Sequence, residues 1–173
     1  MGNPTEKKLL ISFCDLTNFA KISRRNDETE IFNYLSSIYE IIGEIIEDSN
    51  GRVIKFIGDS ALIIFEENDV DAGVIALKKL KTEIDDYNKN ISYESRLVVK
   101  AHFGKVITGM MGTKNNKRFD LIGNEVNIAA TLKSNGYAIS VEAFRKLKPE
   151  TRKLFKKHTP PITYIDIDEK HKD

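Results

Sequence analysis

The chain has little that would tie it to a redox framework, a polyanion or a lipid surface. It carries one cysteine, Cys14, so no internal disulfide can form. Cys14 lies within an apolar run and reads as a buried structural thiol, which fits a reducing compartment. Basic residues (27) almost cancel acidic ones (26), and a formal charge of +1 sets up no field that would draw nucleic acid or anionic lipid. No apolar stretch approaches a membrane span. The N-terminus, Met1 to Glu6, has no hydrophobic signal region, and Glu6 stands where a myristoylation site wants Ser or Thr. These absences predict a soluble, cytoplasmic protein with no nucleic-acid and no membrane partner. Repeats and low-complexity tracts are also missing.

What is present is an ordinary globular composition, 40% apolar and 31% charged, in 173 residues. That length predicts one domain over 1–173, with its core at about 8–167. Residues 8–14 are apolar on both faces, as in a central strand. A polar loop follows. Asp27 and Glu30 then read as a capping box, and Ile31, Tyr34, Leu35, Ile38, Ile41, Ile42, Ile45 and Ile46 make a helical stripe ended by Asn50-Gly51. Strands near 52–57 and 61–66 form a hairpin around Gly58-Asp59. A helix over 69–88 turns Val70, Val74, Ile75, Leu77, Leu80 and Ile84 inward, and a strand runs from Arg96 to Phe103. The order strand, helix, strand, strand, helix, strand predicts an α+β fold of the ferredoxin-like (βαββαβ) type: a mostly antiparallel sheet flanked by helices. Beyond Gly104, we expect a short strand at 106–108, a turn from Gly109 to Gly112 and a basic loop at 114–118. A strand at 119–123, a helix from Asn124, a strand at 138–141, a basic helix over 142–157 and an edge strand from Ile162 to Ile167 make a C-terminal αβ extension. The residues from Asp168 to Asp173 read as frayed.

Two carboxylates carry the chemical signal. Asp15 closes the first strand, and Asp59 sits at the hairpin corner. In this fold, the first and third strands are neighbours, so both carboxylates emerge at one sheet edge. Such a pair can hold two divalent cations for phosphoryl chemistry. Taken singly, each aspartate reads as a turn former. Lys55 and Asp120 each read alone as solvated strand residues. Asn127 is unfavourable in a helix interior, which tilts it toward function. His102 reads as a satisfied core histidine. Glycines 104, 109 and 112 read as turn and close-packing devices, and the basic run from Arg145 to Lys157 as a solvated helix face.

Four segments in register resemble the class III nucleotidyl cyclase catalytic domain: Asp15-Leu16-Thr17-Asn18-Phe19, Gly51 to Asp59, His102 to Gly112, and Phe119 to Ala130. The resemblance implies a ferredoxin-like core that works as a head-to-tail homodimer with composite interface sites. It implies that Asp15 and Asp59, with the Leu16 carbonyl, bind two Mg²⁺ or Mn²⁺ per site. Lys55 and Asp120 match the base-reading pair, and Asn127 the asparagine that orients the ribose or transition state. Asn18 and Phe19 fall in the phosphate-binding turn. The implied reaction is attack of the ribose 3′-oxygen on the α-phosphorus, expelling pyrophosphate. Lysine donates and carboxylate accepts, which suits adenine's ring nitrogen and amino group; guanine and uracil present the reverse pattern, while cytosine shares adenine's.

The chain departs from the family pattern at three places. Thr131 stands where an arginine is usual, four residues after Asn127, and loss of such a donor costs about 10²–10³ in rate. Arg118 and Lys133 are the nearby cations that are candidates to replace it. Asn18 stands where a glycine is usual, although asparagine tolerates left-handed geometry. The late triphosphate lysine is not evident; Lys156 and Lys157 are candidates. The preferred reading is a standalone homodimeric ATP cyclase. The alternatives are a CTP-using enzyme like the short bacterial cyclases of phage defence, and a degenerate module that binds nucleotide and dimerises without turnover.

Overall fold

The computed structural model describes residues 3–159 and 161–169. The long first strand β1 (Thr5–Leu16) pairs antiparallel with β3 (Ser60–Glu66) on one side and β4 (Leu97–Thr113) on the other. With β2 (Arg52–Ile57) outside β3, the sheet begins β2-β3-β1-β4, the strand order of the ferredoxin-like fold. It continues through β6 (Tyr137–Ile139), β8 (Thr163–Asp166) and β7 (Phe155–His158), and among the described residues only the β4–β6 pairing is parallel. The expected α+β architecture and C-terminal extension are present.

Helices α2 (Glu28–Glu47) and α3 (Val70–Asn90) cover one sheet face. The capping box forms as read: Asp27 Oδ1 accepts from the Glu30 N–H at 2.8 Å, and Glu30 Oε2 from the Asp27 N–H at 3.2 Å. At the other end, Asn50 takes φ 60° and the Gly51 N–H returns to the Ile46 carbonyl at 2.8 Å. Leu10, Cys14 and Leu16 alternate toward these helices and make the main core with Ile38, Ile42, Ile63, Leu77 and Leu80. Cys14 is buried, as read, and desolvation pushes its thiol up to about 12.

Leu9, Ile11 and Phe13 face the other way. There they meet α4 (Asn124–Thr131) and β5 (Asn116–Ile122) in a second, smaller core with Leu62, Ile64, Val106, Leu121 and Ala129. This open face carries the candidate site.

Several local expectations are corrected. The loop after β1 contains a short helix, α1 (Phe19–Ser23), begun by Asn18 at φ 59° and held by buried Ile22. The strand read as ending at Phe103 does not stop: β4 runs through Gly104 to Thr113, and the turn lies at Lys114-Asn115 rather than between Gly109 and Gly112. Gly104 is a close-packing position, since a Cβ there would meet Glu125 Oε2 at 2.5 Å. Ile75, expected inward, is 46% exposed; Gly73 and Ala76 take the buried positions beside Val74 and Leu77. The strand read at 138–141 ends at Ile139, and Ser140 instead caps α5 (Val141–Lys146), accepting from the Ala143 N–H. The basic helix read over 142–157 is broken. Pro149 opens a separate turn, α6 (Pro149–Arg152), and residues 155–158 form β7. That makes β7, and not the strand near Ile162, the sheet edge. Asp168 and Glu169 are bonded back to Asp166 and are not frayed, whereas the remaining residues of that expectation, from Lys170, lie outside the described set.

Candidate active site

Strand pairing brings the two aspartates together. Asp15 pairs with Ser60, so Asp59, one residue back at the β2–β3 tip, stands beside the end of β1. The tip is two residues long, and Gly58 supplies the positive φ (60°) that a tight hairpin needs there. Desolvation raises the Asp59 carboxyl above the usual aspartate range, and the Asp15 charge raises it further. The N–H groups of Asp59 and Leu16 act in the opposite direction. Neither carboxylate has an ion-pair partner among the described residues. Two half-buried carboxylates that repel each other without a compensating cation make a donor set suited to hard divalent ions. Among the described residues no cluster of three or more His, Cys, Asp or Glu surrounds them, so a cation held there would complete its shell with carbonyl oxygen, water or phosphate.

Lys55 sits two rungs behind Ile57, about 7 Å along β2. It pairs with Leu62, a residue of the open-face core. Its ammonium meets Asp120 of β5 at 2.5 Å. This contact exists because the long β4–β5 arm curls over the open face as far as β2, where Arg52 lies 4.2 Å from the Phe119 ring. Sequence reasoning placed Lys55 and Asp120 in one pair, and the structure brings them together. Asp120 Oδ1 also accepts from the Leu121 N–H at 2.9 Å, which fixes its carboxylate plane.

The remaining candidates surround this pair less closely. Asn127 is exposed on α4. Thr131 is exposed one turn on, and its hydroxyl donates to the Asn127 carbonyl at 2.7 Å. Asn18 adopts the left-handed geometry read for it, but its amide donates to the Glu94 carbonyl at 2.9 Å, away from the aspartates. Phe19 packs against the main core. Leu16 buries its side chain there and leaves its backbone against Asp59. Arg118 and Lys133 are exposed, Arg118 on the arm opposite Met111. Lys156 is used elsewhere: on the distant edge strand it donates to the Ile167 and Glu169 carbonyls at 3.0 and 2.6 Å.

Three neighbours escaped the sequence reading. His102 is a satisfied core histidine as read, 2% exposed, with Nδ1 2.8 Å from Ser140 Oγ; its other nitrogen lies 2.5 Å from Glu125 of α4. The signal for Glu125 is Gly104, whose missing side chain leaves the carboxylate its space. Lys100 donates to the Ala130 carbonyl at 3.3 Å, beside Thr131. Tyr39 of α2 donates to the Gly58 carbonyl at the hairpin tip. No local pattern marks either of these two.

Known proteins share this fold and family. An adenylate cyclase of Anabaena cylindrica is 24% identical over 140 residues, 76% of this chain and 28% of that protein. A receptor-type guanylate cyclase of Drosophila melanogaster is 26% identical over 152 residues, 83% of this chain and 10% of that protein. The chain thus spans less than a third of the length of these curated relatives. The crystal structure of an adenylyl cyclase from P. aeruginosa shares the fold, with a TM-score of 0.80 at 18% identity over 98% of each chain. Among the described residues no helix is long and apolar enough to cross a membrane. The family profile of the adenylate and guanylate cyclase catalytic domain matches residues 3–160, and the chain belongs to that family.

Proposed function

We propose that this domain is a nucleotidyl cyclase that converts ATP to cyclic AMP and pyrophosphate, at sites shared between two copies of the chain. The observation that carries the reading is the convergence of Asp15 and Asp59, without an ion-pair partner among the described residues, on the face that also presents Lys55 and Asp120. Asp15, Asp59 and the Leu16 carbonyl would hold Mg²⁺ or Mn²⁺, and the bound ions would lower the pKa of the ribose 3′-hydroxyl and neutralise the triphosphate.

The chain's own groups do the rest. Lys55 donates to the adenine ring nitrogen, and Asp120 accepts from the amino group. A guanine or uracil would face Asp120 with a carbonyl, at a cost of about 1–3 kcal/mol. Asn127, projecting from α4, orients the ribose. In the free domain the Lys55 ammonium and the Asp120 carboxylate satisfy each other, which keeps both in place for a base. Both lie behind the hairpin tip, and the apolar Ile57 and Ile122 beside them are 56% and 58% exposed. Burying those side chains against a second copy would join one copy's aspartates to the other's base-reading pair.

A second reading has its own observation. Thr131 brings no positive charge to the phosphates, and its hydroxyl is turned onto its own helix. A domain of that kind would bind nucleotide and dimerise without turnover. The test is incubation with each of ATP, GTP, CTP and UTP plus Mn²⁺, with the cyclic product identified by mass. Cyclic AMP is the expected product. Cyclic CMP alone would move the substrate to CTP, which shows the same edge to Lys55 and Asp120. No product above that of an Asp59→Ala control would leave the non-catalytic reading standing.

A further inference from the structure

We infer that Tyr39 is the positioning residue for Asp59, and that its hydroxyl sets how tightly the acidic pair takes a divalent cation. The inference rests on the proposed role of Asp15 and Asp59 in metal binding.

Three regular pairs, Lys55 with Leu62, Phe56 with Ala61 and Ile57 with Ser60, lead into the β2–β3 turn, and a register shift between Val53 and Lys55 separates them from the rest of the ladder. Gly58 has nothing within 4 Å of where a Cβ would stand, so no neighbour packs against that side of the turn. A further restraint comes from α2. The Tyr39 ring stacks on Phe56, with centroids 3.7 Å apart and planes 10° from parallel. Its hydroxyl donates to the Gly58 carbonyl. Tyr39 is itself fixed, because Ile38 and Ile42 on either side of it along the helix are buried in the main core.

The bonded oxygen belongs to the peptide that joins Gly58 to Asp59. That peptide is planar and trans, so its N–H points opposite to its carbonyl. Holding the Gly58 oxygen therefore fixes the direction of the Asp59 N–H. Burial raises the Asp59 carboxyl and the nearby charge of Asp15 raises it further, while that same N–H and the Leu16 N–H act the other way, so the direction of the Asp59 N–H bears on its carboxylate. One hydrogen bond from α2 thus orients the backbone on which the metal carboxylate is hung. Burial raises the Tyr39 hydroxyl above the usual phenol range, and the Asp59 charge adds to that shift.

A purely structural clamp would stabilise the hairpin without affecting the ion. Tyr39→Phe separates the two, since it keeps the stack on Phe56 and removes only the donor. The measurement is the Mn²⁺ dissociation constant of the full chain without nucleotide, from the electron paramagnetic resonance signal of free Mn²⁺, beside the metal-free melting temperature. We expect Mn²⁺ affinity to fall about threefold to tenfold, the equivalent of one hydrogen bond. In an Asp59→Asn background, the same change should cost nothing more. Affinity within twofold of wild type, with or without a lower melting temperature, would overturn the inference, as would an equal loss in the Asp59→Asn background. If Asp59→Asn itself leaves Mn²⁺ binding intact, the metal role of the acidic pair fails and takes this inference with it. If Asp59→Asn abolishes binding and Tyr39→Phe does not weaken it, only the role of Tyr39 fails.

Discussion

Replacing Thr131 with arginine tests the weakest part of the catalytic reading. Thr131 is the last residue of α4 and is exposed, so no core contact is lost in the exchange. Its hydroxyl donates to Asn127 O at 2.7 Å and lies 3.5 Å from Ile128 O, which leaves it no donor for a substrate. Arginine is the better helix former, and a cation in the last turn suits the negative end of the helix dipole; together these are worth a few tenths of a kcal/mol. The melting temperature should therefore hold or rise slightly. Residues four apart lie on one helix face at about 6 Å, so a guanidinium at 131 stands beside Asn127. One preorganised donor to a developing oxyanion is worth about 10²–10³ in rate. An arginine added to a site not otherwise arranged for it should recover part of that, about 10–10² in kcat, with KM for ATP changed less than threefold. Steady-state formation of cyclic AMP with Mn²⁺ reads the effect. A kcat within twofold of wild type in a protein of unchanged stability would refute the reasoning, because another cation would then already fill the role. Lys100, bonded to the Ala130 carbonyl at 3.3 Å, is a cation placed beside residue 131.

Asp120→Asn leaves Lys55 without its carboxylate and puts an amide before the adenine amino group, so KM for ATP should rise about tenfold or more; an unchanged KM would remove Asp120 from base recognition. Glu125→Ala strips the His102 ring of its Nε2 partner in a buried setting and should cost about 1–3 kcal/mol, read as a lower denaturation midpoint. The same variant should weaken nucleotide binding through α4, and a loss of stability with nucleotide affinity intact would separate α4 anchoring from the site. Because burial and then Asp15 raise the Asp59 carboxyl, the folded protein keeps that proton to a higher pH than the unfolded chain does. Asp59 therefore adds stability as pH falls through its raised value and loses that contribution as pH rises above it. Metal-free Asp59→Asn should melt higher than wild type at pH 7, lose that advantage in acid, and gain nothing from Mn²⁺; a lower melting temperature at pH 7 would contradict the sign.

Where information is local, the sequence was legible. The Asp27–Glu30 cap, the isoleucine stripe of α2 and the glycine at the β2–β3 tip each act within a few residues, and their order leads to the ferredoxin-like core. That core, through the pairing of first and third strands, makes neighbours of Asp15 and Asp59. The pairing of Lys55 with Asp120 was legible only through resemblance, since 65 residues separate them and neither strand pattern points at the other. Glycine misled the reading at Gly104, which marks close approach inside β4, and at Gly109, which lies within that strand rather than at a turn. Charge misled it at 142–157, where a basic helical face and the first residues of β7 look alike until Pro149 divides them.

By itself the sequence determined which segments form strands and helices in the core, and that two acidic side chains end up at one edge of the sheet. Tertiary structure alone decided how far β4 extends, that its arm returns across the open face to seat Asp120 on Lys55, that Glu125 meets His102, and that Tyr39 holds the peptide bearing Asp59. The division has one physical cause. Periodicity, caps and turns record interactions between residues a turn or a rung apart. The contacts that shape the site join residues 19, 23 and 65 positions apart, and only the packed fold brings those together.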